Sequence, residues 1–307
     1  MRHCITLDDF SGDELLHMLR LALRLKREPG AFEGVLRDRW LLMLFQKTST
    51  RTRLSFEVGM GMLGGQSVMM DWETSNFSIS PIEYEARYAS IHTDVIMARL
   101  KHHEDIQTLA RHSQVPVING CDDKFHPCQA LADLLTVYEQ DEDFSSKTLT
   151  FVGIHNNVAN SLACGFSKVG GRLILVTPEV NPAAHDSELL ERLTASGTVE
   201  RTLNMREAVS RSQFVYTDTW VDMEFFEEAT YRDEKKRRID LMMPYQLNQE
   251  NLAGGDAFIL HDMPIHPGYE ITEDLVYSPR SLIFQQAENR LYAQQALMMF
   301  LLGISNN

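Results

Sequence analysis

The chain has few cysteines, no long apolar run and no surplus of basic charge, and each shortage removes a class of protein. Four cysteines in 307 residues, Cys4, Cys121, Cys128 and Cys164, are scattered without a C-x-x-C pair, so neither a zinc ribbon nor a disulfide framework is indicated. Free thiols in a reducing compartment are the expectation. No apolar stretch reaches the roughly 18 residues a membrane helix needs, and MRHCITLDDFSGDELL at the N-terminus carries acids where a secretory signal would start basic. A cytoplasmic protein without a membrane partner is expected. The formal net charge of -14 speaks against general nucleic-acid binding, because the phosphate backbone rewards excess Lys and Arg. KKRR at 235–238 is a local exception, but FFEEATYRDE directly precedes it, and mixed signs at that spacing read as a solvated helix with i,i+4 pairs. Also missing are the G-x-x-x-x-G-K-[ST] of a P-loop and, in the VGIHNN turn, the glycines of a dinucleotide fingerprint. Neither a cofactor nor a metal is expected.

What is present is ordinary globular composition, with 44% hydrophobic and 23% charged residues, in a chain long enough for two domains. Ser11 and Glu14 form a capping-box pattern ahead of Leu15, Leu19, Ala22 and Leu23, and Pro29-Gly30 closes the helix. WLLMLF at 40–45 reads as a buried strand. LSFEVGMGMLG follows as a helix, then SVMMDW, IHTDVIMARL and VPVINGCDD as strands, with helical DIQTLARHS between the last two. After a helix around Cys128 to Glu139 the alternation restarts, with strand-like LTFVGI, LILVT, FVYTDTW and AFILHDMP. This is the pattern of parallel sheets covered by helices. The expected fold is α/β with two such domains, residues 1–135 and 136–285, and a C-terminal helix at about 286–307 that returns to the first domain. A ligand cleft is expected at the carboxyl ends of the strands.

FQKTSTRTRLSFE, residues 45–57, concentrates anion-binding groups where a strand runs into a helix. Unpaired N–H groups and the positive end of the helix dipole meet at such a place. Ser49, Thr50 and Thr52 add hydroxyls, and Arg51 and Arg53 add planar forks suited to phosphate. The same residues also read as an N-capped helix with exposed arginines.

The stretch resembles the carbamoyl-phosphate loop of the transcarbamylases, and His126-Pro127-Cys128-Gln129 with Leu131-Ala132-Asp133 resembles their second signature. Further resemblances run along nearly the whole chain: Met97-Ala98-Arg99, Asn156-Asn157, Asp218-Thr219-Trp220, and SPRSLIF leading into Glu288-Asn289-Arg290. The Lys47 form of the loop, the Asn-Asn pair and the D-x-W motif resemble ornithine carbamoyltransferases more than aspartate carbamoyltransferases. The resemblance implies attack of a neutral amine on the carbonyl of carbamoyl phosphate, giving L-citrulline and phosphate when ornithine is the acceptor, a step of arginine metabolism. Such chemistry needs preplaced cations and donors rather than a covalent nucleophile. It further implies that Ser49, Thr50, Arg51 and Thr52 hold the phosphate, with Arg99 reaching phosphate and carbonyl. His126 would donate to the carbonyl oxygen, Gln129 would fix the carbamoyl NH2, and Arg290 would close the same end. Asn157 would bind the acceptor's carboxylate and Asp218 its α-ammonium. Taken singly, His126 reads as a core histidine, Arg290 as a surface arginine and Asp218 as a turn cap. The resemblance also implies a homotrimer with active sites at subunit boundaries, for which the loop from Trp72 to Tyr84 is the candidate contributor.

The pattern breaks twice, both times on the acceptor side. Ornithine enzymes usually carry S-M-G after the D-x-W tract, where this chain has Asp222-Met223-Glu224. They usually carry H-C-L-P with an arginine soon after, where this chain has His261-Asp262-Met263-Pro264-Ile265-His266. Asp222, Met223, Asp262 and Met263 therefore join the candidate acceptor site. Asp262 is also a candidate catalytic group that orients the amine or takes its proton, since an alkylamine with a pKa near about 10 is mostly protonated at neutral pH. Ornithine is the leading acceptor. Another diamino acid or a diamine stays open, as does a homologue that binds carbamoyl phosphate without transferring it.

Overall fold

A computed structural model describes residues 1–221, 229–252 and 255–304. Two parallel sheets are each flanked by helices, as the alternation predicts. The first half runs α1 (Gly12–Arg27), β1 (Trp40–Phe45), α2 (Thr50–Met62), β2 (Gln66–Asp71), α3 (Ile82–His92), β3 (Val95–Arg99), α4 (His103–His112), β4 (Val117–Cys121) and α5 (Pro127–Gln140). Its four strands lie in the order β2-β1-β3-β4. The second half runs β5 (Thr148–His155), α6 (Asn157–Lys168), β6 (Arg172–Val180), α7 (Ser187–Ala195), β7 (Val199–Arg201), α8 (Met205–Ser210), β8 (Phe214–Thr217), α9 (Arg232–Met242), β9 (Phe258–His261), α10 (Glu273–Val276) and α11 (Ile283–Leu301). Its five strands lie in the order β7-β6-β5-β8-β9.

Central strands are apolar along their whole length because helices cover both faces of the sheet. Five of six residues of β1 are buried, whereas the edge strand β2 is largely exposed. α1 starts in the expected capping box, with Glu14 N–H donating to Ser11 and Ser11 N–H donating back to Glu14. α9 is the expected solvated helix, in which Glu234 pairs with Arg237 and Arg238. All four cysteines are buried and free.

Several strands are shorter than their apolar runs suggest. In IHTDVIMARL, Ile91 and His92 finish α3, and Asp94 turns the chain by accepting from the Trp40 N–H at 2.8 Å. FVYTDTW stops pairing at Thr217 and AFILHDMP at His261. The residues just beyond, Asp218 and Asp262, are freed from the ladders and stand at the carboxyl edge of the second sheet.

α5 is buried from Pro127 to Tyr138. It packs against α6 of the second half, and α11 returns to lie on α5, α1 and α2. A continuous apolar core therefore joins Leu131 and Leu134 of α5 to Leu149 and Phe151 of β5 and to Leu297 of α11. Lys26 fixes the returning helix by donating to Asn289 at 2.8 Å and pairing with Glu139 at 3.0 Å. No described helix is long and apolar enough to cross a membrane.

Candidate active site

Six strand ends converge on one cleft: those of β1, β3 and β4 from one sheet, and of β5, β8 and β9 from the other. The loop after β1 enters α2 through Ser49, whose Oγ accepts the Thr52 N–H at 3.2 Å. This leaves the first N–H groups of the helix facing the cleft mouth without helical partners. Thr52 is fully buried and its Oγ1 accepts from Arg290 Nη2 at 2.9 Å. Thr50 is exposed, and Arg51 is half-buried. Arg53 does not follow Arg51 inward as the sequence suggests, since its Nε donates to Glu57 one turn along at 3.0 Å. Ser49 and Thr50 of the loop, with Lys47, Leu54, Val58 and Met69, line an open cavity of about 750 Å3, which none of Arg99, His126 or Gln129 reaches.

Arg99 ends β3 at a bulge, where register against β4 shifts between Ala98 and Arg99. His126 precedes α5 with Pro127 in the first helical position, and its N–H donates to Ser161 Oγ at 2.7 Å. Burial, reinforced by Arg290, Arg99 and Arg51, holds the His126 imidazole well below its ordinary pKa. It is neutral, so it can donate a hydrogen bond without carrying charge. Gln129 lies one turn into α5 and donates to Asp133 Oδ1 at 2.9 Å, which leaves its Oε1 free. Asp133 Oδ1 also accepts from Gln286 of α11 at 2.6 Å, and Gln286 Oε1 accepts the His261 N–H at 2.8 Å. Burial lowers the Arg290 pKa to about 10, with Arg99 and Arg51 adding repulsion, so the guanidinium stays charged at neutral pH. Arg51 is lowered for the same first reason.

Buried polar atoms normally find partners. Here Arg99 Nε, His126 Nδ1, Gln129 Oε1, Asp262 Oδ1 and Arg290 Nε have none, although every one of these side chains belongs to the cleft.

The other end of the cleft is anionic. Asn156 caps α6 by accepting from Val158 and Ala159 N–H at 3.1 Å. Its amide donates to Asp218, which also accepts the Thr219 N–H at 2.6 Å. Asn157 is turned by donating to the Asp122 carbonyl at 2.6 Å. Asp262 follows β9, is 13% exposed, and has a carboxylate oxygen within 4.8 Å of one of Asp218. Burial, then the Asp218 charge, pushes its carboxyl well above the usual range. Met263 N–H donates to His261 Nδ1 at 2.9 Å, and the following peptide to Pro264 is cis. The Met263 side chain packs on the apolar core of the second half. Asp222 and Met223 lie outside the described residues.

Donor atoms of Asp218, His261 and Asp262 come within 4.8 Å of one another, the spacing of a candidate metal cluster. His261 has no lone pair to give. Its Nδ1 accepts from Met263, so Nε2 carries the proton and donates to Glu270 at 3.1 Å.

The structure thus brings Arg51, Thr52, Arg99, His126, Gln129 and Arg290 to one end and Asn157, Asp218 and Asp262 to the other. Three groups escaped the sequence as site residues. Asp133 and Gln286 bridge the halves, and Asn156, rather than its neighbour, holds Asp218. The spacing of Gln129 and Asp133 at i,i+4 on one helix was the available signal for the first of these.

Two family descriptions match, one after the other along the chain: "Aspartate/ornithine carbamoyltransferase, carbamoyl-P binding domain" over residues 2–139, and "Aspartate/ornithine carbamoyltransferase, Asp/Orn binding domain" over residues 145–301. The ornithine carbamoyltransferase of Archaeoglobus fulgidus is 38% identical over 99% of this chain and 98% of its own length. The catabolic ornithine carbamoyltransferase of Halobacterium salinarum is 39% identical over 97% of this chain and 98% of its own. Among solved structures, the ornithine carbamoyltransferase of Pyrococcus furiosus superposes with a TM-score of 0.90 at 34% identity, covering 99% of this chain and 98% of that one.

Proposed function

The chain belongs to the aspartate/ornithine carbamoyltransferase family, and from that premise we propose that it moves the carbamoyl group of carbamoyl phosphate to the side-chain amine of L-ornithine, releasing L-citrulline and phosphate. The observation that carries this reading is the split polarity of one cleft. Arg99 and Arg290, each with an unpartnered Nε, crowd one end together with Arg51, while Asp218 and Asp262 occupy the other. A dianionic phosphate suits the first end and an ammonium the second.

Residues 1–135 with the returning helix α11 form the carbamoyl-phosphate half in this reading, and 136–285 the acceptor half. Ser49, Thr50, Arg51 and Thr52 grip the phosphate with the first turn of α2. As the amine attacks, negative charge grows on the carbonyl oxygen, and neutral His126 with Arg99 and Arg290 receives it in a site preorganised to do so. Gln129, its amide anchored on Asp133, accepts from the carbamoyl NH2 through its free Oε1. Asn157 meets the acceptor's carboxylate, Asp218 its α-ammonium, and Met263 bounds the pocket. The four unpaired thiols suit a reducing cytoplasm.

We further propose a homotrimer. The outer face of α2 and the edge strand β2 expose Leu54, Val58, Val68 and Met69, and the segment from Trp72 to Tyr84 lies next along the chain from that edge.

The test is phosphate release with ornithine, lysine, N-acylated ornithine, putrescine and aspartate as acceptors. Preference for ornithine is expected, and preference for another amine overturns that choice. His126→Ala is expected to lower kcat by roughly a hundredfold or more while carbamoyl phosphate still binds. Full activity in that variant would remove the polarising role.

A further inference from the structure

Two carboxylates face each other in the acceptor end with no cation between them. Among the described residues no lysine or arginine pairs with Asp218 or Asp262, and Asp262 Oδ1 has no hydrogen-bond partner. Asp218 is already served by Asn156 and the Thr219 N–H, but Asp262 has no comparable donor. The nearest imidazole, His261, brings its Nδ1 to 3.5 Å from Asp262 Oδ1, but that nitrogen accepts the Met263 N–H and the ring proton goes to Glu270, so it donates no hydrogen bond to Asp262. Two carboxylates at this separation, shielded from water, do not both ionise.

We propose that Asp262 holds a proton in the empty acceptor pocket because it faces the carboxylate of Asp218 with no cation between them, that the ammonium of the acceptor replaces this proton on binding, and that Asp262 then takes a proton from the attacking nitrogen. The inference rests on the carbamoyl-transfer reading and gives the acceptor site its proton chemistry.

Every element around Asp262 contributes a charge to this balance. Asp218 and Tyr216 face it from β8 and its end, Asp133 from α5, Arg51 from α2, Arg290 from α11, and His261 from its own strand. Burial and the two aspartates raise its affinity for a proton, and Arg51 opposes them. The outcome is a carboxyl that holds a proton in the empty site and can accept one again from an amine held against the carbonyl carbon. It is also sensed by the guanidiniums of Arg51 and Arg290, as a group serving the reacting nitrogen must be.

The atoms balance. The alkylammonium arrives with three N–H protons. One passes to Asp262, and the freed lone pair forms the C–N bond as the carbonyl electrons move to oxygen. When they return, the bond from carbon to the phosphate oxygen breaks, and phosphate leaves with the second proton. The third stays on the new ureido nitrogen, and Asp262 returns its proton to solvent.

Because the ammonium competes with this proton, apparent affinity for the acceptor rises with pH and levels off once Asp262 has lost its proton. Difference infrared spectra of the wild-type protein with inorganic phosphate present test this directly. Adding ornithine is expected to remove a carboxylic-acid C=O band that Asp262→Asn lacks from the start. A wild-type protein that shows no such loss, or a variant that shows the same loss, overturns the proposal. In turnover, Asp262→Asn is expected to lower kcat by roughly a hundredfold, to leave the KM for carbamoyl phosphate unchanged and to abolish the pH dependence of the acceptor KM. A variant with wild-type kcat and wild-type pH dependence is the contrary result. If the wild type turns over a different amine and not ornithine, the acceptor assignment fails by itself. The infrared measurement is then made with that amine, and its result decides the proton proposal separately.

Discussion

Asp133 is fully buried under the cleft, and burial pushes its carboxyl up to about 7 against the amides of Gln286 and Gln129, which favour the charged form. In the unfolded chain the same group titrates near about 4. Between those two values the folded protein holds a proton that the unfolded chain has released, so stability falls as pH rises through that window and flattens above about 7. The loss is on the order of a few kcal/mol at most. Asp133→Asn keeps an oxygen for both amides and removes the charge. The expected outcome is a thermal midpoint that declines less between pH about 5 and about 8 than in the wild type. Equal slopes in the two proteins would mean that Asp133 does not titrate in that range. Gln129 was legible as a site residue in the HPCQ-x-LAD stretch and Asp133 was visible there only as part of the motif, but Gln286, 153 positions from Asp133, was not visible at all. Nothing in local spacing can announce a partner that only the returning helix delivers. Arg53 shows the opposite limit. Its charge and place in the loop suggested phosphate, and the i,i+4 carboxylate of Glu57 claims it instead.

Among elements, those with a complete local code were readable in advance. α1 has its capping box and periodic apolar face, and β1 has an uninterrupted apolar run. β7 is only three residues long, with Glu200 and Arg201 exposed, and carries no such code. Its pairing with β6 is what makes it a strand. How helices approach one another is likewise set by contacts distant in sequence. Gly12 opens α1 against the end of α6, where an added Cβ would lie 2.1 Å from the Lys168 carbonyl oxygen. The obstacle is backbone that cannot rotate aside. Gly12→Ala would gain at most about 1 kcal/mol of helix propensity, whereas overpacking at a fixed contact costs about 1–3 kcal/mol. Destabilisation therefore wins, and the urea midpoint is expected to fall. A rise would show that α1 shifts off α6 without loss.

On the scale of the whole molecule, a net charge of -14 coexists with a cleft end built from Arg51, Arg99 and Arg290, because the field at a buried site is governed by its nearest groups. Charge alone does not account for the apolar flank. Leu54 and Val58 on α2, with Met69 on β2, line an open cavity directly beside the phosphate loop. Edge strands left exposed invite pairing with another chain. A stable interface buries roughly 800 Å2 on each partner, and Ile79 and Tyr88 are further exposed apolar side chains of the same half. In the proposed trimer the neighbouring subunit covers that flank, so subunit contact and the shape of the phosphate loop are linked. Light scattering is expected to give three times the 35.1 kDa chain mass. Leu54→Glu with Val58→Glu places two carboxylates on this exposed flank and is expected to yield folded monomers, judged by circular dichroism, whose turnover is far below that of the trimer. Neither side chain belongs to the cleft, so lost turnover in a folded monomer traces to the missing neighbour. A variant that stays trimeric, or a monomer with full activity, would put the interface elsewhere or leave the site complete within one chain.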